Sequence, residues 1–223
     1  MIVAERKTIE EIKQYIAPYK NVLLTGCGAC VTVCFAGGEK EAGILASQLR
    51  LLCKKEGKEI IITEQTVKRQ CEKEFTMELK NNMEKADAVI SLACGAGVQF
   101  IAKYFPSKPV FPGVNTKFLG GTDEPGIWTE SCQSCGDCIL DKTGGICPVA
   151  RCSKSLLNGP CGGSQNGKCE IDKELDCAWQ LIYDRMKSLG REKELEINQP
   201  IKDWSKSRDG GPRKVVRDDL KLK

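Results

Sequence analysis

Eight cysteines lie between Cys132 and Cys177, in a stretch otherwise dominated by glycine, proline and polar turn formers. A segment with so few apolar side chains buries little core of its own, so a metal that gathers the thiolates would have to organise it. Its first part is the most specific. Cys132, Cys135 and Cys138 stand two residues apart, and Cys147-Pro148 follows the Gly144-Gly145 turn. That ladder, closed by a later cysteine before proline, is the spacing with which a short loop wraps an iron–sulfur cluster. Structural zinc bound by four thiolates is the competing assignment.

The chain has 223 residues, 14 cysteines and no histidine. Without imidazole there is no Cys-His zinc finger, no Rieske centre, no Ser-His-Asp or Cys-His catalysis. Any metal site must be thiolate-rich. The start of the sequence lacks an apolar secretory core and no run approaches a membrane span, so the expected location is cytoplasmic. There thiols stay reduced, and ligation rather than disulfide pairing explains so many cysteines. The formal charge of +4 treats them as neutral thiols. Three four-thiolate sites, each worth about −2 with a dicationic core, would bring the total to roughly −2. Basic and acidic residues are interleaved and only 6% of residues are aromatic, a poor footprint for nucleic acid.

The spacing of apolar residues predicts an α/β chain. Its parts are a small parallel-sheet amino-terminal domain (Rossmann-like, truncated) and a loop-rich cysteine-cluster carboxy-terminal domain with a closing helix and an extended tail. Helix is expected over 4–20, 38–55, 72–85 and 98–104, with a further start at Val31; strand is expected over 21–25, 59–63, 88–93 and 109–111. Residues 120–126 read as a linker, and 174–189 as the closing helix with a stripe of Leu175, Trp179, Ile182 and Met186. The resulting division is 1–120, 121–190 and 191–223. The last part, with ten basic and seven acidic residues, reads as disordered or as an arm that orders on a partner.

Two Cys-Gly-Ala turns, at Cys27 and Cys94, follow the first and third expected strands, where open parallel sheets place ligands. Cys30 and Cys34 are one helical turn apart. Cys27, Cys30, Cys34 and Cys94 are therefore candidates for one cluster, with Cys71 as an alternate that would displace Cys30. A dinucleotide site is the weaker reading, because Val31 stands where the third glycine belongs; buried structural cysteines are the other. The second set is Cys132, Cys135 and Cys138, completed by Cys147 or a later cysteine. The third is Cys152, Cys161, Cys169 and Cys177, where zinc and iron–sulfur are both open, as is an exchange of Cys152 for Cys147. Cys53 sits in the apolar stripe of its helix and reads as core. There is no nucleophile–base pair and no phosphate loop, so no catalytic residue is assigned.

At these motifs the chain resembles the MetV family, the small companion subunit of methylenetetrahydrofolate reductase in acetogens and related anaerobes. The resemblance runs from Gly26-Cys27-Gly28-Ala29-Cys30 and Cys34 through Cys94-Gly95-Ala96-Gly97-Val98-Gln99. It continues through the Cys132 ladder, Thr143-Gly144-Gly145-Ile146-Cys147-Pro148 and Asn158-Gly159-Pro160-Cys161-Gly162-Gly163 to Cys177-Ala178-Trp179. The last part also resembles the zinc- or cluster-binding extension of some fused methylenetetrahydrofolate reductases. The resemblance implies two 4Fe–4S clusters, or three if the third set takes one rather than zinc. It implies a heterodimer with a MetF-type barrel subunit that carries FMN or FAD. It also implies an electron donor, either ferredoxin or an NADH-oxidising or heterodisulfide-reductase-like module. Electrons relayed to the partner's flavin would reduce methylenetetrahydrofolate to methyltetrahydrofolate in the methyl branch of the Wood–Ljungdahl pathway.

Overall fold

A computed structural model describes residues 1–221. The elements run β1 (Ile2–Arg6), α1 (Ile9–Ile16), β2 (Asn21–Cys27), α2 (Cys30–Val33), α3 (Glu39–Lys55), β3 (Ile61–Val67), α4 (Lys73–Met77) and α5 (Lys80–Lys85). They continue through β4 (Ala88–Ser91), α6 (Gly95–Tyr104), β5 (Val110–Pro112), β6 (Val114–Glu124), β7 (Ile127–Cys132), α7 (Pro148–Arg151) and α8 (Ala178–Ser188), with short 3-10 turns after α8. Contacts divide the chain into two compact units, 1–128 and 129–223.

The first unit is built on a parallel sheet of order β3-β2-β4-β5. Its strands pair in register, Asn21 with Ile61 and Val22 with Ala88 among others. The centre is apolar on both faces, as a sheet covered by helices requires: Val22, Leu23, Leu24, Val89 and Ile90 are buried. On one face α3 buries Ala42, Leu45, Ala46, Leu49 and Cys53. Each such leucine contributes about 1.5–3 kcal/mol relative to remaining exposed. Cys53 is 1% exposed, so the core reading of this residue holds.

A second sheet, of order β1-β6-β7, corrects two expectations. Residues 2–6 are a strand rather than the start of a helix. The helix begins only at Ile9, because the Thr8 hydroxyl accepts from the Glu11 backbone N–H at 3.3 Å and Glu10 and Glu11 fill the first turn. Residues 120–126 are not a linker. Gly120 and Gly121 lie within β6, which pairs antiparallel with β1 from Arg6–Val114 to Ile2–Leu119. The compact unit consequently extends past residue 120.

The second unit has little regular structure. Its core is α8, where Cys177, Trp179, Ile182 and Met186 are buried against Ile146, Cys152, Leu156 and Leu195. The Trp179 indole N–H donates to the Leu156 carbonyl at 3.0 Å, so the one polar atom of the largest core side chain is satisfied. Short 3-10 turns cover Glu192–Glu196, Trp204–Lys206 and Arg208–Gly210, and Lys202 and Ser207 beside them are buried. Among the described residues no helix is long and apolar enough to cross a membrane.

Candidate metal centres

In the first unit the cysteines gather at the carboxyl ends of the parallel strands. Cys27 ends β2 and Cys30 opens α2; Cys71 follows β3, and Cys94 is the N-cap of α6 directly after β4. The chain leaves β2 for β3 on one side and then crosses to β4 on the other. The β2/β4 boundary is thus the point where strand order reverses and a crevice opens.

A buried amide holds this edge together. Gln70 is fully buried; its side-chain N–H donates to the Thr25 carbonyl at 3.1 Å and the Gly26 carbonyl at 2.8 Å. Its side-chain carbonyl accepts from the Ser91 hydroxyl at 2.6 Å. The Thr76 hydroxyl in turn donates to the Gln70 backbone carbonyl at 2.8 Å. The α6 backbone comes equally close, since a Cβ on Gly97 would lie 2.9 Å from the Gln70 Cβ.

This stitching brings Cys71 into the electrostatic neighbourhood of Cys27 and Cys94. Although Cys71 is exposed as a residue, desolvation of its sulfur, and then the Cys27 and Cys94 sulfurs, push its thiol above the usual range. Several thiols crowded together resist ionising unless a cation joins them. Arg69, ion-paired with Glu72 at 2.5 Å, lies within charge range of both Cys71 and Cys30. Cys34 is engaged differently. Its sulfur is buried, accepts from the Ala4 backbone N–H at 3.4 Å, and lies 3.6 Å from the Ala4 carbonyl in β1.

In the second unit Cys152, Cys161, Cys169 and Cys177 line one small cavity, walled by Leu156 and Trp179. Cys177 caps α8 and its backbone N–H donates to the Gly167 carbonyl at 2.7 Å; Cys169 N–H donates to the Leu175 carbonyl at 2.9 Å. Cys152 ends α7. The Ser153 hydroxyl, 3.5 Å from the Cys169 sulfur, and the Ile171 and Asp172 backbone N–H groups hold this thiol below its usual range. An ion pair between Lys154 and Glu170 belongs to the same wall.

The ladder starts at Cys132, the last residue of β7, and continues on the loop after it. The Ser134 backbone N–H donates to the Cys132 sulfur at 3.3 Å, and Ser134 and Gly136 adopt positive φ of 53° and 94°, folding the loop back on itself. Cys147 caps α7 after two glycines of positive φ, at the end of that helix opposite Cys152. Cys152 lines the third-set cavity and Cys147 does not. Among the described residues no three His, Cys, Asp or Glu side chains converge closely enough to hold an ion as they are placed. The donor sets themselves are all sulfur, with helix N-termini beside Cys94, Cys147 and Cys177. That chemistry fits thiophilic centres, zinc or iron–sulfur, and disfavours hard cations such as magnesium and calcium. Sequence reasoning missed Gln70 as the residue that holds the crevice; its only signal was a polar side chain immediately before a candidate ligand.

The arrangement thus defines an α/β chain whose cysteines are grouped in two units. Residues 111–205, somewhat under half of the chain, match the family model described as methylene-tetrahydrofolate reductase C terminal. The matched stretch contains all eight cysteines of the second and third sets. This part of the chain is therefore similar to the carboxy-terminal region of methylene-tetrahydrofolate reductases. No curated protein and no solved structure matches the chain.

Proposed function

We propose that this protein is a non-catalytic, MetV-type subunit of a methylenetetrahydrofolate reductase complex that passes electrons to the flavin of a MetF-type barrel subunit. The observation that carries the reading is the grouping of Cys152, Cys161, Cys169 and Cys177 around one cavity inside the reductase-like segment. In the first unit, Cys27, Cys30, Cys71 and Cys94 form the set that the sheet edge supports best, with Cys34, turned toward Ala4, as the alternate. Cys132, Cys135, Cys138 and Cys147 form the ladder set.

Iron–sulfur clusters held there would supply one-electron carriers at several points along the chain. The protein's contribution is to gather the thiolates and set N–H groups and helix ends beside them. The donor would be ferredoxin or an NADH-oxidising or heterodisulfide-reductase-like module, and the partner's flavin would carry out the reduction of methylenetetrahydrofolate. Anaerobic purification followed by iron, zinc and acid-labile sulfide analysis tests this reading. About four iron and four sulfide per cluster site support it; zinc alone, without sulfide, overturns it.

A second reading is a zinc-stabilised scaffold subunit of the same complex. It is favoured by the small core of the second unit, whose buried cluster includes Cys177 and packs against Cys152. Zinc has no redox chemistry, so an electron paramagnetic resonance signal on reduction excludes this reading for at least one site.

A further inference from the structure

We propose that residues 199–213 are an electrostatic strap which holds the ladder loop of their own chain and tunes the group bound there. The inference rests on the assignment of a metal centre to Cys132, Cys135, Cys138 and Cys147.

The strap is tied at both ends. At its start, Asn158 Nδ2 donates to the Gln199 carbonyl at 3.0 Å, and the Gln199 backbone N–H donates to Asn158 Oδ1 at 2.8 Å. At its end, Arg213 Nη1 donates to the Ser134 carbonyl at 2.8 Å and the Lys206 carbonyl at 3.1 Å. Between them Lys202 is only 8% exposed, and its Nζ donates to the Asp137 carbonyl at 2.5 Å. Lys206 Nζ lies 3.2 Å from the Asp137 carboxylate. The fit is close, because Gly136 adopts φ 94° and a Cβ there would collide with the Lys206 carbonyl.

Three cations therefore meet a loop of seven residues that carries three cysteines. One carboxylate on that loop, Asp137, answers them; in the strap, Asp203 accepts from Ser205 while within charge range of Lys202 and Lys206, and Asp209 is engaged by Ser207. Lys202 is buried with its ammonium on a backbone carbonyl and over the Trp204 ring. Positive charge there has a use if the loop holds an anionic, sulfur-bound centre. The carbonyls of Ser134 and Asp137 belong to the same peptide groups as the N–H of Cys135 and Cys138. A cation on each carbonyl polarises that peptide and strengthens its N–H as a donor. The strap would slow release of the bound centre and stabilise its more negative, reduced state.

The test compares full-length wild-type protein with Lys202→Met, Arg213→Gln, the charge-keeping Lys202→Arg, and Cys135→Ser, all purified anaerobically. Cys135→Ser identifies the ladder's share of the iron, sulfide or zinc. Lys202→Met and Arg213→Gln should bind that share but release it to a chelator several-fold faster. Any ladder resonance should titrate at a more negative potential, and Lys202→Arg should restore both properties. If Cys135→Ser loses metal while the strap variants match wild type in release and potential, the strap is refuted and the metal assignment stands. If Cys135→Ser loses no metal, both fall.

Discussion

The Ser91 hydroxyl donates to the Gln70 side-chain carbonyl at 2.6 Å, inside a region that water does not reach. Through this bond β4 holds the loop that carries Cys71, while the same amide bonds the end of β2. Gln70→Leu keeps the volume but leaves the Ser91 hydroxyl and two strand-end carbonyls without this partner. The expected cost is about 1–3 kcal/mol for each group left unsatisfied. Urea unfolding of the variant against wild type measures it; an unchanged midpoint would show that the amide does not hold the sheet edge.

Cys94→Ala should lose one cluster's worth of iron while the eight cysteines beyond residue 131 keep theirs. Cys34→Ala should retain it, because the Cys34 sulfur is engaged with the Ala4 backbone. Iron and sulfide per chain decide both. Loss in Cys34→Ala with retention in Cys71→Ala would return Cys34 to the ligand set.

Cys161→Ser should empty the third set of its metal, whichever metal it holds, and lower the melting temperature of the protein. Ile182→Ala, in the small core behind that cavity, should cost about 2–5 kcal/mol without changing the ligands. Metal analysis beside thermal unfolding separates the two effects. A Cys161→Ser protein with its full metal content would remove that residue from the set.

Two truncations distinguish the parts of the tail. Removing 214–223 should leave the ladder's metal in place, since the strap contacts end at Arg213. Removing 199–223 should lose that metal or release it several-fold faster. If the segment beyond the strap binds the barrel subunit, the shorter deletion should weaken the heterodimer in a pull-down while metal content stays constant.

The parallel sheet was legible because its strands are short, continuous apolar runs such as Val22-Leu23-Leu24 and Val89-Ile90, separated by helical spacing. The antiparallel sheet was not. In β1 only Val3 and Ala4 are buried, and its apolar residues merge with those of α1 into one helical period. In β6 the Gly120-Gly121 pair looks like a break, yet backbone pairing with β1 reaches as far as Leu119 and the Met1 ammonium bonds the Gly120 carbonyl. Missing β1 also hid what Cys34 faces, because helical spacing places Cys30 and Cys34 on one side but does not say what covers it. The third cysteine set was legible as a group. The strap was not, since Lys202 and Arg213 bond carbonyls 65 and 79 residues away and such contacts leave no local pattern.

The most direct test of the account is the metal and redox content of the protein purified without oxygen. The account predicts a brown protein containing iron and acid-labile sulfide, with a paramagnetic signal on reduction by dithionite that diminishes in Cys94→Ala. A colourless protein, free of iron and sulfide and silent after reduction, would contradict it.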